Sequence, residues 1–181
     1  MRRTILLASL TIMAACSSGQ ETTPGQPAPG NTPAPPPWGT NAVATSEVPA
    51  VYLTEWRKAE NRATCALVAI TDDGITRGAA PRAATFSGGW GVAYDLPGQR
   101  SAFGVAGTGA SASESSYDEW PFKRTWSDGS SVGYGPEGGT GPNQLAYLRI
   151  AGQGCLYNVW SRLGRDHLES MIDAIRFVQT R

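Results

Sequence analysis

The chain has 181 residues, a length that suits one domain with additional segments better than two full domains. Lysine plus arginine and aspartate plus glutamate both number 15, so the formal net charge is zero. The chain thus lacks the basic excess of a dedicated nucleic-acid-binding protein, and we expect no nucleic-acid partner. The 22 glycines and 13 prolines predict many turns, while hydrophobic residues, at 40% of the chain, suffice for a core.

The first residues have the pattern of a secretory signal peptide. Two arginines follow Met1, and the stretch from Ile5 to Met13 is mainly apolar. As a helix this stretch spans about 14 Å, which is too short for the roughly 30 Å hydrocarbon core of a bilayer. We therefore expect residues 1–15 to be removed.

The end of the leader, Met13-Ala14-Ala15-Cys16, resembles the lipobox of bacterial lipoproteins, although that family usually has leucine where this chain has Met13. The resemblance implies cleavage before Cys16 and lipid attached to it, and several acyl chains on one residue suffice for stable membrane attachment. It also implies the membrane as partner and a location in the bacterial cell envelope. Ser17, in place of aspartate, favours the outer membrane where the host has one. Ordinary cleavage, with Cys16 incidental, is the alternative.

Residues 16–45 have the composition of a tether. They are rich in proline, almost without aliphatic side chains and nearly uncharged, so they bury too little apolar surface to offset the entropy of ordering. We expect an extended, disordered linker followed by a single globular domain over residues 46–181. Trp38 is the one aromatic residue of the tether. A tolerated linker aromatic is the favoured interpretation, and docking on the domain or binding a partner is the alternative.

The first segment of the domain has helical apolar spacing. It predicts a helix over residues 46–62, with Ser46 and Pro49 as start signals. Segments with strand character follow at residues 65–70, 83–94, 101–106, 131–134, 144–151 and 155–161. The last two predict a hairpin with its turn at residues 152–154.

The chain is predicted to close on a helix over residues 166–178, with Asp166 as its N-cap. An apolar stripe supports this helix: Leu168, Met171, Ile172, Ile175 and Val178. A helix, several antiparallel strands and a final helix predict an α+β fold, an antiparallel sheet with both helices on one face. Strands that run into one terminal helix are loosely similar in layout to the PsbP/Mog1 family, a likeness that no motif carries.

The cysteines are consistent with export. With Cys16 lipidated, Cys65 and Cys155 remain as an even pair, which predicts a disulfide. The pair lacks the CxxC spacing of a redox site. Because the chain has one histidine, a zinc site would have to recruit carboxylates, and we expect neither a metal nor a cofactor.

Two motifs match functional signatures only in form. Gly129–Gly133 fits G-x-S-x-G around Ser131, with His167 as the available base, and Gly133–Gly138 fits G-x-G-x-x-G. Both signatures need a helix behind the loop, and the glycine-rich stretch that follows opposes one. A polar turn is therefore favoured, and His167 is expected to face solvent in the first turn of the last helix.

Residues 107–143 are predicted to be a long connection with aromatic side chains among glycine, serine and acidic residues. The candidates for a binding platform are Tyr117, Trp120, Trp126 and Tyr134. Packing beneath the connection as a satellite core is the alternative, and it is the favoured one.

These features favour a non-catalytic envelope lipoprotein that binds an envelope protein, a polymer or a small ligand. Two other classes remain open. One is a hydrolase that acts on envelope material through Ser131 or carboxylates, and the other is a carrier of lipid or another hydrophobic ligand between sheet and helix.

Overall fold

The computed structural model describes residues 33–39, 41–71, 74–111, 120–139 and 141–180. Cys16, the predicted lipidation site, lies outside the described residues, as does Tyr117.

The described residues form two α-helices and ten strands. In chain order these are β1 (Val43–Ala44), α1 (Ala50–Lys58), β2 (Val68–Ile70), β3 (Ala80–Ala83), β4 (Trp90–Leu96), β5 (Gln99–Ser111), β6 (Phe122–Thr125), β7 (Ser131–Pro136), β8 (Gln144–Arg149), β9 (Cys155–Ser161), α2 (Arg165–Asp173) and β10 (Ile175–Gln179). Neither helix is long and apolar enough to cross a membrane.

The strands form two sheets. The large sheet has seven strands in the order β3-β4-β5-β9-β8-β7-β6, and every neighbouring pair is antiparallel. The small sheet has the order β1-β10-β2, in which β10 is parallel to β1 and antiparallel to β2. The predicted α+β class with a large antiparallel sheet is confirmed.

The core lies between one face of the large sheet and a covering layer made of α1, α2 and the small sheet. Tyr52 of α1 packs edge-on against Trp90 with ring centroids 6.4 Å apart, and Tyr94 stacks on Phe103 at 4.8 Å. The Tyr94 hydroxyl donates to the Tyr52 hydroxyl at 3.2 Å, so these two buried hydroxyl groups are hydrogen-bonded to each other. Phe103 also packs edge-on against His167 of α2 at 4.9 Å, so both helices contact the same face, although their positions in the chain differ from the predicted ones.

The strand expectations hold best where the turns are local. The hairpin of β8 and β9 is confirmed. The single strand predicted over 83–94 is two strands, β3 and β4, and the connection between them includes Gly88 at φ +66°. The long connection predicted over 107–143 is wrong, because β6 and β7 pair as a hairpin within it.

The predicted last helix is too long. Helix α2 ends at Asp173, and the residues Ile175–Gln179 form strand β10, which pairs with β1 and β2. Apolar residues at 175 and 178 suit either a helix or a strand, and pairing with two strands supplies the backbone hydrogen bonds while Ile175 is completely buried. Asp166 is also not the N-cap, since that position belongs to Gly164.

The N-terminal boundary lies earlier than residue 46. Trp38 is 2% exposed, its ring packs edge-on against Trp126 at 4.7 Å, and its Nε1 donates to Asp128 at 3.4 Å. Val43–Ala44 adds a strand to the small sheet. The favoured interpretation of Trp38 as a tolerated linker aromatic is wrong, because its ring is buried in the core and its indole N–H is paired with Asp128. Helix α1, at Ala50–Lys58, is also shorter than the helix predicted over residues 46–62.

The predicted disulfide is confirmed. Cys65 and Cys155 are bonded, with Cα atoms 5.3 Å apart, and they join the segment before β2 to the first residue of β9. The sequence separation is 90 residues, so the cross-link removes a large loop-closure entropy from the unfolded chain.

Replacing both residues, as Cys65→Ala with Cys155→Ala, is expected to lower the free energy of unfolding by about 2–5 kcal/mol because that loop is released. Urea unfolding of the variant and of the parent chain measures the difference. The parent chain in dithiothreitol serves as a control and should show the same loss. Equal midpoints for variant and parent would contradict the prediction.

Candidate functional site

The large sheet has a second face, opposite the core, which we call the outer face. Successive residues of a strand point to opposite faces, so the neighbours of core residues Val105, Val159 and Ala146 belong to the outer face. The strand register sets these outer residues in rows. One row is Gly104, Trp160, Leu145 and Gly135, and the next is Ala106, Asn158, Tyr147, Gly133 and Lys123.

Four aromatic residues lie across this face as an aromatic strip: Phe86, Trp160, Tyr147 and Trp120. Phe86 and Trp160 have ring centroids 5.8 Å apart, and so have Trp120 and Tyr147. Trp160 and Tyr147 stand diagonally on the neighbouring strands β9 and β8, which brings the two pairs side by side. All four side chains are partly exposed, so the strip has one side on the sheet and one toward solvent.

Glycines hold the rings close to the backbone. A Cβ at Gly104 would lie 2.3 Å from the Trp160 ring, and one at Gly91 would lie 2.6 Å from the Phe86 ring. At Gly135 a Cβ would come within 3.1 Å of Trp120. Only a residue without a side chain fits beneath each ring, and the rings therefore lie over the sheet rather than projecting from it.

A pocket of about 210 Å³ lies at the β6 end of the strip, and we call it the basic pocket. Its lining residues are Lys123, Arg124, Thr125, Ser131, Val132, Gly133, Tyr147 and Arg149. Arg124 is paired with Asp173 of α2, whereas Lys123 is exposed and forms no ion pair with the described residues. The exposed ammonium group of Lys123, with the hydroxyl groups of Thr125 and Ser131 in the same lining, favours an anionic ligand.

The three predicted binding residues that the structure describes do not come together. Trp120 lies in the strip, but Trp126 and Tyr134 are 4% and 6% exposed and face the core side. The Tyr134 hydroxyl donates to Glu169 at 2.8 Å, and burial, reinforced by this carboxylate, raises the pKa of the phenol. Trp126 and Tyr134 thus take the alternative role of packing, while Tyr117 is outside the described residues.

Sequence reasoning missed Phe86, Tyr147, Trp160 and Lys123 as site residues. Tyr147 and Trp160 occupy the outward positions of the β8–β9 hairpin, where the alternation with buried residues was visible. That an outward aromatic residue stands over a glycine of another strand could not be read from the sequence, because the register between distant strands decides it.

The G-x-S-x-G motif does not have the strand–turn–helix geometry of a nucleophile elbow. Ser131 begins β7, whose residues continue as a strand rather than a helix. His167 is engaged elsewhere, with Nδ1 at 2.9 Å from the Ser161 hydroxyl and Nε2 at 2.8 Å from the Thr76 hydroxyl. No group of three or more histidine, cysteine, aspartate or glutamate side chains in the described ranges could hold a metal ion.

No family model, curated protein or solved structure matches the chain. The geometry of the described residues therefore carries the functional argument.

His167 is half-buried and does not face solvent as predicted. The completely buried Ser161 hydroxyl accepts from the Leu163 amide at 3.0 Å, so its own hydrogen is satisfied by donation to Nδ1 of the imidazole. Nε2 then carries the proton and donates to Thr76. Because this arrangement needs a neutral ring, it agrees with the pKa of His167, which burial lowers from its ordinary value.

The lowered pKa predicts acid sensitivity. Between the folded and unfolded pKa values the unfolded chain binds more protons, so stability is complete above about pH 6.5 and falls as the pH drops through the lowered folded value. Urea unfolding at pH 7.5 and pH 5.0 should show a larger loss in the parent chain than in His167→Gln. Parallel losses in the two proteins would show that His167 does not contribute.

Proposed function

We propose that the protein is a lipid-anchored lipoprotein of the bacterial cell envelope whose domain is a non-catalytic binding module. The observation that carries the binding role is the aromatic strip, a set of partly exposed rings lying over glycines on a sheet face that the described residues leave without a covering helix. Rigid aromatic side chains present large contact areas at a small cost in conformational entropy.

The disulfide and the leader pattern support the envelope assignment. Disulfides such as Cys65–Cys155 persist in oxidising compartments and are rare in the reducing cytosol. Together with the charged start, apolar stretch and Cys16 of the leader, this disulfide favours a protein that leaves the cytoplasm.

The interior favours binding at a surface over the carriage of a ligand inside. Tyr52, Trp90 and Tyr94 fill the space between α1 and the sheet and are each at most 1% exposed. Hydrolysis is disfavoured because Ser131 and His167 have separate surroundings, so neither activates the other.

The anchor is tested by Cys16→Ser. We expect this variant to lose incorporation of labelled fatty acid and to move from the membrane fraction to the soluble fraction, since no other residue is proposed to carry lipid. Ser17→Ala, a change beside it, is the control and should keep both properties. Unchanged labelling of Cys16→Ser would refute the anchor.

The binding role is tested by photocrosslinking in intact cells. A photoreactive residue in place of Thr125, exposed at the basic pocket, is expected to capture an envelope component because the outer face is the proposed binding surface. The same residue in place of Thr54, exposed on α1, is the matched control. Absence of an adduct at Thr125, or equal adducts at both positions, would contradict a binding role for the outer face.

A further inference from the structure

We propose that the outer face binds an acidic glycan, a chain of pyranose sugars bearing carboxylate groups. The inference rests on the proposed function and names the occupant of its binding surface. Three features of the outer face support it: the row of aromatic rings, the hydroxyl groups beside them and the positive charge at the sheet edge.

The rings of the strip lie over the sheet and extend across several strands. Its rings stand over glycines on strands β4, β5 and β7. The outermost of these, β4 and β7, are four strand spacings apart, which is about 19 Å at roughly 4.8 Å per spacing. Pyranose rings present flat faces of C–H groups that stack on the electron-rich faces of aromatic rings, whose edges carry the opposite partial charge. A row of rings across the strands thus offers successive stacking positions to an extended sugar chain.

The composition of the face opposes an apolar partner. Leu145 is the aliphatic member between the rings, and Asn158 stands beside Tyr147 in the same row. An amphipathic helix docks its apolar face in a hydrophobic groove, whereas this face mixes aromatic rings with hydroxyl groups such as that of the exposed Thr125. Such a mixture suits a ligand that alternates C–H surface with hydroxyl groups.

The charge at the end of the strip selects an acidic chain. Lys123 occupies the same row as Tyr147 at the sheet edge, and its side chain is exposed. A chain that crosses the strip reaches this cation, and a carboxylate on it gains a charge-assisted hydrogen bond there. A neutral glycan gains only the stacking.

The test is co-sedimentation and affinity electrophoresis of the detergent-solubilised full chain. The probes are polygalacturonate, purified peptidoglycan sacculi and neutral dextran, so that carboxylates on the sugars themselves are distinguished from carboxylates on peptides attached to a glycan. We expect binding to at least one of the two acidic probes and weaker binding to dextran, with the preference reduced by salt.

Trp160→Ala is expected to weaken binding about tenfold because it removes a central stacking ring, whereas Trp160→Phe, which keeps a ring, should retain most of it. Lys123→Ala, an exposed change at a sheet edge, is expected to weaken binding to the acidic probe by about two- to fivefold and to reduce the preference over dextran. Lys58→Ala, also exposed but on α1, is the control and should have no effect.

The proposal is overturned if neither acidic probe binds, if dextran binds equally well, or if Trp160→Ala binds like the parent chain. A discrete protein adduct at Thr125 together with no glycan binding would refute the glycan while keeping the binding module. No glycan binding and no adduct would refute both.

Discussion

The fold depends on the Cys65–Cys155 disulfide and the contacts around it, which attach the covering layer to the large sheet; we call this region the joint. At this joint the Cys65–Cys155 disulfide links the segment after α1 to β9, and Trp56 of α1 donates from its indole to the Cys65 carbonyl at 2.8 Å. Gly107 of β5 lies directly against it, since a Cβ there would be 2.6 Å from the Cys65 sulfur. Because this contact is covalent and closely packed, α1 stays on one face of the sheet and the small sheet follows.

The two faces of the large sheet consequently meet opposite requirements. On the inner face bulky aromatic residues such as Trp90 and Tyr94 fill the volume beneath α1, and their polar atoms must find partners within the protein. On the outer face small residues such as Gly91 and Gly104 lie beneath rings that remain partly exposed. The alternation along each strand thus separates a buried surface that stabilises the domain from one whose rings remain partly exposed, and the proposed binding role uses only the second.

The accuracy of the sequence expectations follows the range of the interactions involved. The β8–β9 hairpin was predictable because its alternation and its glycine turn are local. The end of α2 was not, because Ile175 fits a helix stripe and a buried strand equally well and pairing with β2 decides between them. Trp38 was misjudged for a related reason: the composition of its segment is that of a tether, while the burial of a single ring against Trp126 depends on a distant hairpin.

By itself the sequence determined the α+β class, the disulfide pair, the absence of a basic excess and the leader pattern on which the proposed anchor rests, because composition, periodicity and cysteine number are properties of the chain. Only the tertiary structure decided the candidate site. Of the predicted binding residues that the structure describes, Trp120 alone lies in the aromatic strip, and Phe86 and Trp160 join it from segments far apart in the chain. Strand register brings them together, and register depends on packing across the whole sheet rather than on any local run of residues.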